Sequence, residues 1–229
     1  MRQAVRKRWY DDACGTAFAL EMIGERWTIL IMRELMFGPR RFSELRSDLP
    51  GISAKILAQR LEAMEERSIV RKRRLPPPAS AQVYELTPWG MEAENLVQMM
   101  GSWATRHPDH DPSLPLSAAS IMMSFKTMFD SEAAGDLVCR IGFRLGEHQF
   151  CLTISEGTID VVRQPPEERE QDVVFTGEPT ALAACIYGGQ PLDDMVAAGM
   201  IALQGDPGVF RRFASLFPLP PKIDLATGQ

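Results

Sequence analysis

The chain has 229 residues, 45% of them hydrophobic, and a formal net charge of −5, so it can bury a core and hold two small domains. No uncharged stretch reaches the roughly 18 residues of a spanning helix, and positions 1–12 are basic without an apolar run, so neither a membrane span nor a standard export signal is expected. Four widely spaced cysteines (Cys14, Cys139, Cys151, Cys185) without a C-x-x-C fit a reducing cytoplasm and argue against a zinc site. The charge is unevenly spread. Up to Arg106 there are 17 Lys+Arg against 13 Asp+Glu, and from His107 onward 8 against 17. The first part tolerates a polyanion and the second would repel one.

In chain order, a helix is predicted from Ala17 to Ile23 and another from Glu25 to Phe37. The second is apolar almost all round and therefore reads as the buried centre of its domain. Ser43 is the expected N-cap of a short helix carrying Leu45 and Leu49, and Pro50-Gly51 breaks the chain after it. Ser53 then caps a helix in which Leu57, Leu61 and Met64 repeat on one face. The opposite face carries Lys55 and Gln59 in its first turns but Glu62 and Glu66 in its last. Only the leading end suits phosphates. Two short helices joined by a turn, the second led by small or basic residues, form a helix-turn-helix pattern. Next comes a run with Arg71, Lys72, Arg73 and Arg74, a loop containing Pro76 to Pro78, and the β-prone Val83 to Leu86. That reads as a basic hairpin, and the whole as a winged helix. The expected DNA contacts are Arg40, Arg41, Ser43, Ser53, Ala54, Lys55, Gln59, Arg60, Arg71, Lys72, Arg73 and Arg74. Pro88 to Thr105 is predicted as one long helix, apolar over a wide arc. We expect it to form a homodimer interface, whose two-fold axis supplies paired half-sites; its packing on the C-terminal half is the alternative.

These motifs carry a resemblance. Cys14, Ala19–Leu35, Gly38–Ser53, Leu57–Glu66 and Tyr84–Thr87 resemble, in order, the HxlR family of bacterial regulators, a winged-helix branch near MarR. The resemblance covers about a third of the chain and implies a dimeric, double-stranded-DNA-binding transcription regulator. Departures are Gly15 in place of a common proline, Ser68 in place of a usual glycine, and Ala81 and Gln82 in a wing region that often holds a basic residue. Cys14 stands where some HxlR-type proteins carry a redox or electrophile-sensing cysteine. A sensor thiolate needs nearby positive charge and exposure. Arg6, Lys7 and Arg8 are close in sequence, while a buried structural role is the alternative.

Residues 107–119 read as a linker by their Pro, Asp and Ser content, with His107 and His110 as loop residues rather than ligands. Beyond it, Leu137–Leu145, Phe150–Ile154 and Ile159–Val161 alternate as strands, with a tight turn at Glu156-Gly157. A fourth strand is expected at Asp172–Thr176 and a fifth at Met200–Gln204. One helix opens at Pro179, and another follows the cap Asp206-Pro207 with Phe210, Phe213 and Phe217 on one side. This predicts an antiparallel sheet with helices on one face. The segments Thr176–Leu182 and Gly199–Pro218 resemble the sterol-carrier-protein fold, over about Ser120 to Pro218. That resemblance implies a bound lipid or other apolar molecule, with Phe143, Phe150, Leu152, Phe175, Ile186, Tyr187, Met195 and Phe213 as candidate lining.

The expected architecture is α+β in two domains: a winged helix-turn-helix over 1–106, the linker 107–119, and a sterol-carrier-like domain over 120–229. No catalytic-triad spacing, metal cluster or phosphate-cradling glycine loop is visible, so no enzyme and no cofactor is expected. The reading is a cytoplasmic, dimeric transcription regulator, with repression as the default and a small apolar effector in the C-terminal domain. The alternative is redox sensing through Cys14, with the C-terminal domain serving only as a lipid carrier or oligomerisation module.

Overall fold

The computed structural model describes residues 10–77 and 80–225. Packing divides the chain after Ala93 into two units, Met1–Ala93 and Glu94–Gln229, a mixed α+β architecture.

The first unit contains helices α1 (Gly15–Ile23), α2 (Thr28–Leu35), α3 (Phe42–Asp48) and α4 (Ala54–Glu66). They are followed by strands β1 (Val70–Arg74) and β2 (Gln82–Leu86) and the single turn α5 (Pro88–Met91). Its core is built from Ile31, Met32 and Leu35 of α2, Leu45 of α3, and Leu57, Leu61 and Met64 of α4, closed by Val70, Val83 and Leu86 of the hairpin. The helical repeat read from the sequence is thus the buried face. Ser43 lies inside α3 rather than at its cap. Arg41 is the N-cap, and its backbone N–H donates to Glu44 Oε2 at 2.7 Å. β1 and β2 pair antiparallel, Arg71 opposite Glu85 and Lys72 opposite Tyr84. Arg40 and Tyr84 exchange backbone hydrogen bonds of 2.9 and 2.8 Å, an isolated antiparallel bridge that attaches the segment before α3 to β2. The departure at Ser68 has a conformational consequence: its φ is +59°, the left-handed region that a glycine enters without strain.

The helix expected from Pro88 to Thr105 is broken at Glu92 and Ala93 into α5 and α6 (Glu94–Thr105). The division between the two units falls at this break, after Ala93. α6 packs within the second unit, against α7 (Ala118–Met128), and Glu94 and Lys126 form an ion pair. After the turn α8 (Ser131–Ala134) come strands β3 (Cys139–Leu145), β4 (His148–Ser155), β5 (Thr158–Val162) and β6 (Val173–Gly177). Helices α9 (Pro179–Ile186) and α10 (Leu192–Ala197), strand β7 (Ile201–Gly205) and helix α11 (Pro207–Ala214) complete the unit.

The strand order is β5-β4-β3-β6-β7. Three pairings are antiparallel, but β3 and β6 are parallel, which corrects the all-antiparallel expectation. The cause is the β5–β6 connection, which crosses back over β3 instead of turning at the sheet edge. Gly142 makes room for it, since a Cβ there would lie 2.5 Å from Pro166 Cβ. The tight turn at Glu156-Gly157 has φ of +51° and +67°, as a two-residue hairpin matched to strand twist requires.

The GDP sequence that opens α11 also has a local reason. A Cβ on Gly205 would sit 2.2 Å from the Asp172 carbonyl oxygen, so only glycine lets β7 close on β6 there. The next residue, Asp206, caps α11 by accepting from Gly208 N at 2.7 Å. Beneath the sheet, Phe125, Phe143, Phe213 and Phe217 meet edge-on or tilted at centroid distances of 4.7–5.9 Å, and Phe210 stacks on Phe175 at 5.5 Å. This cluster is the centre of the second unit.

Candidate nucleic-acid interface

The helix-turn-helix is α3, the Pro50-Gly51 turn and α4. Gly51 has φ +93°, so the turn depends on glycine there. Ser53 Oγ accepts from Ile56 N at 3.2 Å and fixes the start of α4. Burial of Leu57, Leu61 and Met64 sets the rotation of the helix, which leaves Ser53, Ala54, Lys55 and Gln59 exposed. Glu62 and Glu66 are exposed in the later turns. The free N–H groups and positive dipole end of α4 coincide with its basic end, while its acids lie toward the C-terminus.

The basic residues expected at this surface fall into two groups. Lys55 and Arg74 are exposed and carry no ion pair among the described residues, and Arg41, the N-cap of α3, and Ser43 in its first turn are exposed as well. Arg40 and Arg60 are different, because both are engaged inside the fold. Arg40 is only 8% exposed and pairs with Asp48 and, at 3.5 Å, with Glu44. Arg60 donates to Glu25 Oε2 at 2.7 Å and to the Arg26 carbonyl at 3.1 Å, tying α4 to the α1–α2 link. Their charges hold helices together rather than standing free for phosphates.

The wing cations are also paired. Arg71 Nε donates to Glu85 Oε1 at 2.7 Å and Arg73 Nε to Glu85 Oε2 at 2.8 Å. Lys72 Nζ lies 2.7 Å from Glu65 Oε2 and 5.8 Å from the centroid of the Tyr84 ring. The Glu65 hydrogen bond pushes the Lys72 pKa up. Sequence reasoning missed Glu85 as the counterion of the wing. The signal was the hairpin register, which sets Glu85 opposite Arg71. Pro78 and Ala79 of the wing loop lie outside the described residues, as do Arg6, Lys7 and Arg8.

Cys14 is exposed at the N-cap of α1. The backbone N–H groups of Thr16 and Ala17 hold its thiol below the ordinary value. Cys139, by contrast, is buried beside Asp172, and burial pushes its thiol up to about 11.

In the second unit, the expected ligand lining is mostly closed core. Phe143, Phe150, Leu152, Phe175, Met195 and Phe213 are buried, and Ile186 and Tyr187 half-buried. Burial raises the Tyr187 hydroxyl to about 12, and it shares a 2.6 Å hydrogen bond with Ser124. A cavity of about 320 Å³ opens elsewhere, between α9, α10 and α11. Its walls include Cys185, Leu192, Phe210 and Ala214, with Asp193 and Arg211 joined at 2.6 Å beside it; none of the eight expected residues lines it. Among the described residues, no group of His, Cys, Asp or Glu is placed to hold a metal ion, and no helix is long and apolar enough to cross a membrane.

Residues 22–112 match the family described as HxlR-like helix-turn-helix, and residues 113–222 the family described as alkyl sulfatase C-terminal. α6 thus falls within the first match although it packs in the second unit. The HTH-type transcriptional regulator YodB of Bacillus subtilis is 40% identical over 86 residues, covering 38% of this chain and 77% of YodB. The uncharacterized HTH-type transcriptional regulator YtfH of Escherichia coli is 32% identical over 94 residues, covering 41% of this chain and 75% of YtfH. The structure of reduced YodB from B. subtilis aligns with a TM-score of 0.39 at 35% identity, over 44% of this chain and 100% of that one. With most of YodB matched at that identity, this chain belongs to the HxlR-like helix-turn-helix family of DNA-binding transcriptional regulators.

Proposed function

We propose that the chain is a cytoplasmic, homodimeric repressor that reads double-stranded DNA with the leading end of α4. The observation that carries this is the exposed face Ser53-Ala54-Lys55 with Gln59, capped at its start and locked from behind by Leu57, Leu61 and Met64. Gln59 reads base edges, Lys55 and the serines meet phosphates, and Arg74 and the Arg71–Arg73 pair add backbone contacts from the wing. The experiment is enrichment of binding sites from a random oligonucleotide pool. A single palindromic motif supports the reading, and recovery without any preferred sequence counts against it.

The dimer is supported by α6, where Met99 and Trp103 are 72% and 77% exposed and Leu96 and Met100 also face solvent. An apolar stripe of this size suits a second copy of the chain. Trp103→Glu should shift the sedimentation of the full chain from dimer to monomer. The second unit is read as a non-catalytic, sterol-carrier-like effector module. With its sheet core closed, the cavity beside Leu192, Phe210 and Ala214 is where a small apolar effector would enter.

A second reading has its own observation. The exposed, acidified thiol of Cys14 suits an oxidant or electrophile sensor. In that case the second unit would be only a carrier or oligomerisation element. Loss of DNA binding on oxidation, abolished by Cys14→Ser, supports this alternative.

A further inference from the structure

We propose that Glu85 is a positioning residue for phosphate recognition: it sets the guanidinium groups of Arg71 and Arg73 side by side as one anion-binding fork. The inference rests on the DNA-binding role of the wing and assigns to an acidic residue the task of organising its cations. Glu85 is the fourth of the five residues of β2, directly opposite Arg71, and its side chain is only 13% exposed. Each of its two oxygens accepts one Nε–H, from Arg71 at 2.7 Å and from Arg73 at 2.8 Å. Both arginines therefore spend their inner nitrogen on the carboxylate. Their terminal NH1 and NH2 groups make none of the hydrogen bonds to Glu85, and the two side chains remain 60% and 43% exposed.

That division matches guanidinium chemistry. An arginine can bind a phosphate through the pair of terminal nitrogens while its Nε–H is held from behind. Residues i and i+2 of a strand lie about 6.7 Å apart and face the same way, so the two forks address neighbouring points of one backbone. Free arginines would have to give up side-chain freedom on binding, and Glu85 removes much of that ordering beforehand. The arrangement carries an electrostatic penalty, because the carboxylate cancels one of the two charges. The two effects predict opposite outcomes for Glu85→Gln. Charge alone predicts tighter DNA binding and a steeper salt dependence, since one negative charge leaves the wing. Positioning predicts weaker binding and a shallower salt dependence, since a glutamine offers one acceptor oxygen and releases at least one arginine.

The test is fluorescence anisotropy of the full chain on a labelled mixed-sequence duplex across a KCl series. The parent, Glu85→Gln, Arg71→Ala/Arg73→Ala and the triple variant are compared, with melting temperature measured for each. We expect Glu85→Gln to weaken binding about fivefold and to flatten the salt slope by about one. In the background lacking both arginines, the same substitution should have no weakening effect. Unchanged or tighter binding by Glu85→Gln would overturn the inference while leaving DNA binding by the wing intact. Equal weakening in the arginine-less background would overturn it too, by showing a loss of fold instead. If the parent itself fails to bind duplex DNA, the DNA-binding reading falls and this inference with it.

Discussion

Lys222 Nζ donates to the Thr105 carbonyl oxygen at 2.9 Å, and to the carbonyls of His107 and His110 at 3.0 and 3.3 Å. The tail after α11 thereby closes the C-terminal end of α6, assisted by Ile223 N on the Arg106 carbonyl at 2.8 Å. An ammonium at a helix C-terminus satisfies orphan carbonyls and complements the helix dipole. Lys222→Met should lower stability by about 1 kcal/mol and speed amide exchange around the end of α6, read by hydrogen–deuterium exchange. Unchanged exchange there would show the tail contact to be incidental.

Ser68 holds a left-handed backbone that side chains rarely adopt. Ser68→Gly should therefore stabilise the first unit by about 0.5–1 kcal/mol, seen as a higher denaturation midpoint. A lower midpoint would mean that the serine side chain contributes more than its strain.

Phe213 touches Phe125, Phe143, Phe210 and Phe217 in a fully closed core. Phe213→Ala should cost about 3–5 kcal/mol. If Phe213 instead lined a site open to ligand, the loss would be small, and equilibrium denaturation distinguishes the two.

The thiols should differ in reactivity. Cys14 has its pKa lowered by the N–H groups of Thr16 and Ala17, so its alkylation rate should rise at a lower pH than that of a free thiol in the same buffer. Cys139, buried and raised to about 11, should react only after unfolding. A Cys14 midpoint at or above the free-thiol value would contradict the account of its surroundings.

What the sequence disclosed was local. The repeat of Leu57, Leu61 and Met64 foretold the buried face of α4, and the Glu156-Gly157 turn and the Asp206 cap were readable because turn and cap chemistry span only a few residues. Arg40 could not be placed, because its burial depends on Asp48 and on Tyr84, which lies far along the chain. The parallel β3–β6 pairing was equally hidden, since strand order is set by where the β5–β6 connection crosses and alternation says nothing of it. Residue type alone points to Ser43 as the cap, whereas the helix start is set by the Arg41 N–H donating to Glu44. Of the expected DNA surface, only the exposure of Ala54, Lys55 and Gln59 on α4 followed from periodicity, whereas Arg60 on the same helix is held by Glu25. Pairing of the wing arginines needed the register that brings Glu85 beside them.

If the leading end of α4 carries sequence recognition, random-oligonucleotide selection performed in parallel with the parent chain, Gln59→Ala and Arg74→Ala will show it. The parent should yield a defined motif, Gln59→Ala relaxed preference at one position of each half-site, and Arg74→Ala the parent motif with uniformly weaker binding. The contrary result is an unchanged motif for Gln59→Ala together with an altered one for Arg74→Ala, which would move recognition from α4 to the wing.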